Sequence, residues 1–226
     1  MRSLSTRESP VCPPRKALSD AGSSLIAILD YGSGNLRSAQ RAFETTGMEV
    51  VVTSDRTVAI EAAGLVVPGV GAFQSCMNGL LGIGGDAIIR ERYSRQRPTL
   101  GICIGMQIFF SEGLEPSRER PGSTPGVGIW QGSVSKLNAP VLPHMGWNTV
   151  KTPTDSILFN GIEEESFYFV HSYAAKEAVG QHVSWTEYGE TFVSAIEDGV
   201  MSATQFHPEK SGSAGLTLIR NWTKTL

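Results

Sequence analysis

The segment Thr99-Leu-Gly-Ile-Cys-Ile-Gly-Met-Gln-Ile108 sets Cys103 between two glycines, where an apolar, strand-like run turns into a helix. This is the thiol form of a nucleophile elbow. The sharp turn needs small neighbours, here Gly101 and Gly105, so that the nucleophile stands clear of the backbone. A thiol at a helix N-terminus is expected to ionise more readily, because the helix dipole favours negative charge there. Far downstream, Gln205-Phe-His-Pro-Glu-Lys210 supplies an imidazole and a carboxylate with one proline between them. Cys103, His207 and Glu209 together make a candidate thiol triad. The thiolate attacks an acyl carbon, His207 passes a proton to the leaving amine, Glu209 fixes the ring tautomer, and a thioester is the intermediate. The carbonyl oxygen of that reaction needs donors already in place. The N–H of Ile104, at the helix start, is one candidate. The turn Pro68-Gly-Val-Gly71 offers a second, since Gly69 and Gly71 leave backbone amides uncovered.

Other residues compete for these roles. Cys12 and Cys76 read as ordinary core cysteines. His171, in the apolar run Phe167-Tyr-Phe-Val-His-Ser-Tyr173, ranks behind His207 because no carboxylate follows it closely. His144 and His182 default to surface or loop positions.

The elements that must hold this chemistry are regular from Leu25 onward. Leu25–Asp30, Met48–Thr53, Gly64–Pro68 and Thr99–Cys103 read as short, continuously apolar strands. Asn35–Thr46 and Phe73–Arg95 have helical spacing, the latter interrupted by the glycines at 82 to 85. Continuous apolar strands alternating with helices predict a mostly parallel sheet covered on both faces, with ligands outside the strands' carboxyl ends. After about Gly126 the runs shorten and alternate, as in Gly128–Lys136 and Ser166–Tyr173. Additional antiparallel strands are expected there, before a last helix over Ala214–Lys224.

With 226 residues, 40% of them hydrophobic, the chain is sized for one α/β domain, expected over residues 25–226. Residues 1–24, rich in Ser, Arg and Pro without periodicity, are expected to form a loose N-terminal extension without a secretory signal. A net charge of −3 argues against a nucleic-acid binder, and no apolar run is long enough to span a bilayer. Three cysteines without a Cys-x-x-Cys pair suggest neither a disulfide framework nor a zinc site, which fits a reducing cytoplasm.

Taken together, the motifs resemble the class I glutamine amidotransferases, whose glutaminase domain joins a Gly-x-Cys-x-Gly-x-Gln elbow to a later His-Pro-Glu. Within that class the resemblance narrows. Asp30-Tyr-Gly-Ser-Gly-Asn-Leu36, Pro68-Gly-Val-Gly-Ala-Phe73, Pro143-His-Met-Gly-Trp-Asn148, Tyr168-Phe-Val-His-Ser-Tyr173 and Phe206-His-Pro-Glu-Lys-Ser211 are similar to the glutaminase subunits of imidazole glycerol phosphate synthase. That resemblance implies a three-layer, flavodoxin-like α/β domain. It implies hydrolysis of L-glutamine to glutamate and ammonia without a cofactor or metal. The ammonia would pass to a separate (β/α)₈ cyclase subunit in histidine biosynthesis, where imidazole glycerol phosphate and an aminoimidazole carboxamide ribotide form.

By position, the resemblance makes Cys103, His207 and Glu209 the triad, and Gly69 and Val70 the oxyanion strand, where a peptide flip completes the hole. Gln107, Glu115, His171, Ser172 and Tyr173 would hold the substrate. Trp147, Asn148 and Lys210 would face the cyclase, Trp147 as an exposed aromatic anchor. Gln107 lies one helical turn beyond Cys103 on the same face, and Glu115 follows that helix through Gly113. The alternatives are the glutaminase of vitamin B6 synthesis or of another synthase, a non-catalytic binding subunit of the same fold, and a thiol peptidase.

Overall fold

The structure, a computed structural model, describes residues 24–116, 121–177 and 180–226. The expected extension over 1–24 falls almost wholly outside the described residues. The first half alternates strand and helix: β1 (Leu25–Leu29), α1 (Leu36–Glu44), β2 (Glu49–Thr53), α2 (Arg56–Glu61), β3 (Gly64–Gly69), α3 (Phe73–Gly82), α4 (Gly85–Ser94) and β4 (Thr99–Cys103). Every residue of β3 and β4 is buried, as expected for strands covered on both faces. Local chemistry sets several boundaries. The Asn35 side chain accepts from Ser38 N to start α1, and Asp55 does the same for α2 through Val58 N. Gly84, at φ 65°, separates α3 from α4 where the sequence placed its glycine break.

Cys103 leads into α5 (Ile104–Gln107), and the chain then forms β5 (Phe110–Gly113), β6 (Thr124–Pro125), β7 (Trp130–Lys136), β8 (His144–Thr149), β9 (Ser166–His171) and β10 (Tyr173–Ala175). A hairpin of β11 (His182–Tyr188) and β12 (Glu190–Asp198) leads to β13 (Met201–Thr204), a 3₁₀ turn at Pro208–Lys210 and α6 (Gly212–Thr223). Two expectations are corrected here. The helix after Cys103 is a single turn, because the apolar Ile108-Phe109-Phe110 leaves it to enter a strand. Gly113 accordingly ends β5 rather than following a helix.

The central sheet has the order β11-β12-β13-β4-β3-β1-β2; the five strands from β13 to β2 are parallel, and β12 and β11 are antiparallel. The chain moves one way from β1 to β2 and the other way from β2 to β3, so right-handed crossovers place successive helices on opposite faces. Thus α1 packs with α6, while α2 and α3 pack with α4. The reversal lies between β1 and β3. The loops at the carboxyl ends of β1, β3 and β4 therefore form the crevice where such sheets bind ligands.

A four-stranded sheet, β10-β7-β5-β6, and the β8-β9 ribbon account for the remaining strands. The ribbon pairs His144 with His171 and Trp147 with Tyr168. A cluster of Phe159, Phe167, Phe169 and Phe206 joins the ribbon to the segment carrying His207, with Phe167 and Phe206 ring centroids 4.4 Å apart. Burying one such ring stabilises by roughly 1.5–3 kcal/mol, so the join is firm. Among the described residues no helix is long and apolar enough to cross a membrane.

Candidate active site

Cys103 stands at φ 57° and ψ −113°, a strained conformation for a residue with a side chain. Three glycines make the elbow possible by close packing. A Cβ on Gly105 would lie 1.8 Å from Val67 O, one on Gly101 would lie 2.7 Å from Gly105 O, and one on Gly69 would lie 2.6 Å from Gly105 N. Strands β3 and β4 and the turn α5 thus interlock backbone to backbone. Since α5 has only four residues, it offers first-turn N–H groups rather than a long dipole.

His207 is brought to the thiol by its own loop. Its N–H donates to Tyr168 O (3.0 Å), and Ser211 Oγ donates to His207 O (2.7 Å) while accepting from Tyr168 N (3.0 Å). His207 Nδ1 lies 2.8 Å from Glu209 Oε1, with both side chains almost fully buried. Burial alone would depress the His207 pKa, but its interactions with Cys103 and Glu209, as hydrogen bonds and as charges, reverse this and raise it to about 9. At neutral pH this favours the imidazolium form of the ring between Cys103 and Glu209.

A cavity of about 400 Å³ opens over these groups. Val70, Cys103, Ile104, Gln107, Glu115, His171, Ser172, Tyr173, His207 and Lys210 all line it, and each of these positions was singled out in the sequence. Gly69 lies behind this lining against α5, and Glu209 lies behind His207. Glu115 Oε2 accepts from Phe73 N (2.9 Å), which ties the carboxylate to the start of α3. The Gln107 amide is turned inward: Nε2 donates to Tyr173 O (2.8 Å) and to Gln205 Oε1 (2.9 Å), leaving the buried Oε1 without a protein partner.

Trp147 and Asn148 stand outside the cavity lining. Trp147 is 58% exposed and meets Tyr168 edge-on. The Asn148 side chain is held within the protein, with Nδ2 donating to Glu187 O (3.1 Å). Among the described residues no cluster of His, Cys, Asp and Glu could hold a metal ion.

Two residues were not legible as part of this site. Gln205 is fully buried and points Nε2 at Cys103 Sγ from 3.8 Å. Its position two residues before His207, in the same short motif, was the available signal. His144 corrects the expected surface or loop position: it is 3% exposed, stacked on Tyr188 and Phe169. His171 Nδ1 faces the Tyr173 carbonyl (3.0 Å) and so must donate. This leaves His171 Nε2 to accept from His144 Nδ1 (3.1 Å), with Asn148 Nδ2 close to His144 Nε2 (3.4 Å). Both rings are neutral in this arrangement. Burial lowers the His171 pKa to about 3 and that of His144 to about 4.

These three histidines predict the pH dependence of stability. Below about 6.5 an unfolded chain protonates the residues at 144 and 171 while the folded chain does not, so stability falls as the pH drops towards 4. The slope is up to about 1.4 kcal/mol per pH unit for each. His207 acts with the opposite sign: its contribution is full below 6.5 and is lost as the pH rises through 9. Denaturant titrations across this range should show a maximum near neutrality with a steeper acid limb. A flat profile between pH 4 and 6.5 would refute the neutral pair.

Residues 27–225 match the sequence model of the family described as Glutamine amidotransferase class-I. The chain is 55% identical over 205 residues to "Imidazole glycerol phosphate synthase subunit HisH" of Mycolicibacterium paratuberculosis, covering 89% of this chain and 98% of that protein. It is 52% identical over 210 residues to the protein of the same description in Nocardia farcinica, with the same coverage. Among solved structures, "Crystal structure of glutamine amidotransferase" superposes with a TM-score of 0.68 at 16% identity, covering 89% of this chain and 99% of that one. "Structure of PurLQS from Thermotoga maritima" gives 0.65 at 16% identity, covering 89% and 98%. At those identities the structures speak to the fold, a mixed α/β domain with a large central sheet. The sequence matches, which span almost the whole described chain, establish that it belongs to the class I glutamine amidotransferases and, within them, to the family of imidazole glycerol phosphate synthase subunit HisH.

Proposed function

We propose that this chain is the glutaminase subunit of an imidazole glycerol phosphate synthase. It hydrolyses L-glutamine and passes the ammonia to a cyclase subunit, its partner in a heterodimer, for histidine biosynthesis. The observation that carries the reading is the placing of His207 between Cys103 and Glu209 at a cavity sized for a small amino acid, with its pKa raised by both neighbours. The Cys103 thiolate attacks the side-chain amide carbon of glutamine, forming a tetrahedral adduct. His207 gives its proton to the nitrogen, the C–N bond breaks, ammonia leaves, and a glutamyl thioester remains. His207, now neutral, takes a proton from water as it attacks the thioester, and glutamate departs with the thiolate and imidazolium restored. Glu209 keeps the ring oriented through Nδ1.

Ile104 N–H and the strand at Gly69 and Val70 serve the oxyanion. Gln107 and the Glu115 carboxylate hold the substrate, with His171, Ser172 and Tyr173 lining the place it occupies. Exposed Trp147, with Asn148 and Lys210, forms the face for the cyclase, Lys210 standing at the cavity mouth. A cytoplasmic location fits the two described cysteines, which are free thiols.

The test is glutamate release from L-glutamine by the chain alone, with a cyclase subunit, and with cyclase plus its nucleotide ligand. Strong stimulation in the mixtures is expected. Absence of glutamate release in all three would overturn the reading.

A further inference from the structure

Gln205 is fully buried and lies outside the cavity lining, and its Nε2 donates to Cys103 Sγ at 3.8 Å. Its segment is firmly held: Gln205 N donates to Ser194 O of β12 (2.8 Å), and the next residue, Phe206, packs into the phenylalanine cluster. Which end of the carboxamide meets the sulfur follows from its neighbours. The Tyr173 carbonyl can only accept, so the end of Gln107 that faces it (2.8 Å) is the NH₂ group. The same nitrogen meets Gln205 at 2.9 Å, and because an NH₂ group only donates, the facing atom of Gln205 must be its oxygen. The NH₂ group of Gln205 is thereby turned to the thiol. A backbone carbonyl of β10 thus fixes, through two side-chain amides, a donor at the nucleophile.

A sulfur that carries negative charge needs donors before it attacks and again when it leaves. His207 is one, but only while it holds the proton that it gives up with the ammonia. A carboxamide keeps its protons through the whole cycle and carries no charge to oppose that of His207. We propose that Gln205 is a catalytic residue whose amide N–H steadies the anionic sulfur of Cys103, both before attack and when the thioester breaks. In that second step the water oxygen bonds to the acyl carbon, its proton goes to His207, and the electron pair of the broken C–S bond returns to Sγ, where the amide meets it. The inference rests on the glutaminase reading above. Since Gln205 stands outside the cavity lining, losing its donor lowers kcat and leaves KM for glutamine near the wild-type value.

The experiment compares wild type, Gln205→Glu and Gln205→Met. Glutamate release is measured on the full chain with cyclase and its nucleotide ligand, and alkylation of Cys103 by iodoacetamide, located by peptide mass, on the full chain alone. Gln205→Glu keeps an oxygen for Gln107 and exchanges only the donor at the sulfur. Gln205→Met keeps the bulk without burying a charge, which covers the case of a poorly folded Gln205→Glu. Both variants should alkylate at Cys103 roughly 10- to 100-fold more slowly at neutral pH, the range for losing a hydrogen bond to a charged group, and kcat should fall by a similar factor. An amide that only props Gln107 would leave alkylation unmoved. Folded Gln205→Met that alkylates at the wild-type rate would therefore refute the donor, as would a raised KM with kcat kept. Absence of glutamate release by wild type in every mixture would overturn the glutaminase reading instead, and the alkylation rates would still decide the contact between Gln205 and the sulfur.

Discussion

Replacing Cys103 with alanine is expected to lower glutamine hydrolysis by roughly 10³-fold or more, the usual scale when a covalent nucleophile is removed. Fold and partner binding should survive, since the change deletes one sulfur from a buried position with little change in shape. The same variant makes a second readout available. Two of the effects that raise His207, its hydrogen bond and its charge interaction, come from Cys103, while burial pulls the other way. Without the thiol, the His207 pKa should fall from about 9, and an NMR titration of its ring protons would register this. Retained turnover in Cys103→Ala would remove the cysteine from the mechanism. Lost turnover with an unmoved His207 would leave the nucleophile in place but break the proposed thiolate–imidazolium pair.

Those two residues could be paired from sequence because each announces itself locally. Gly101-x-Cys103-x-Gly105 encodes a turn that only small neighbours permit, and Glu209 sits two residues from the ring it orients. The parallel half of the sheet was legible for a similar reason: β3 and β4 are uniformly apolar, and helical spacing follows β1 and β3, although α2 after β2 was not read. What escaped was set by tertiary pairing. The run Ile108-Phe109-Phe110 is apolar in any period, so its departure from α5 into β5 left no mark in the pattern. His144 was given a surface or loop position by default, and only its register opposite His171 turns it inward between aromatic rings. Gln205 and Cys103 are 102 residues apart. Their contact follows from the position of β13 beside β4, which is a property of strand order rather than of either segment.

Gly105→Ala should be the most damaging single methyl group that can be added near the site. The new Cβ would stand 1.8 Å from Val67 O, and its neighbours are backbone atoms of β3 that have no rotamer to change. Relief requires α5 to move away from β3, and the two are interlocked in the other direction as well, since a Cβ on Gly69 would stand 2.6 Å from Gly105 N. The expected cost is more than about 3 kcal/mol, beyond the ordinary range for overpacking a core. Whatever protein remains folded should be inactive, because the same shift carries Cys103 away from the strand proposed to serve its oxyanion. Gly82→Ala provides the contrast: nothing lies within 4 Å of a Cβ there, and its position in the last turn of α3 makes alanine neutral or stabilising by up to about 1 kcal/mol. Denaturation of the two variants side by side separates crowding at the elbow from the general effect of losing a glycine. Stability of Gly105→Ala close to that of wild type would show that β3 and α5 can part without cost, and with it the argument for a rigid elbow would fail.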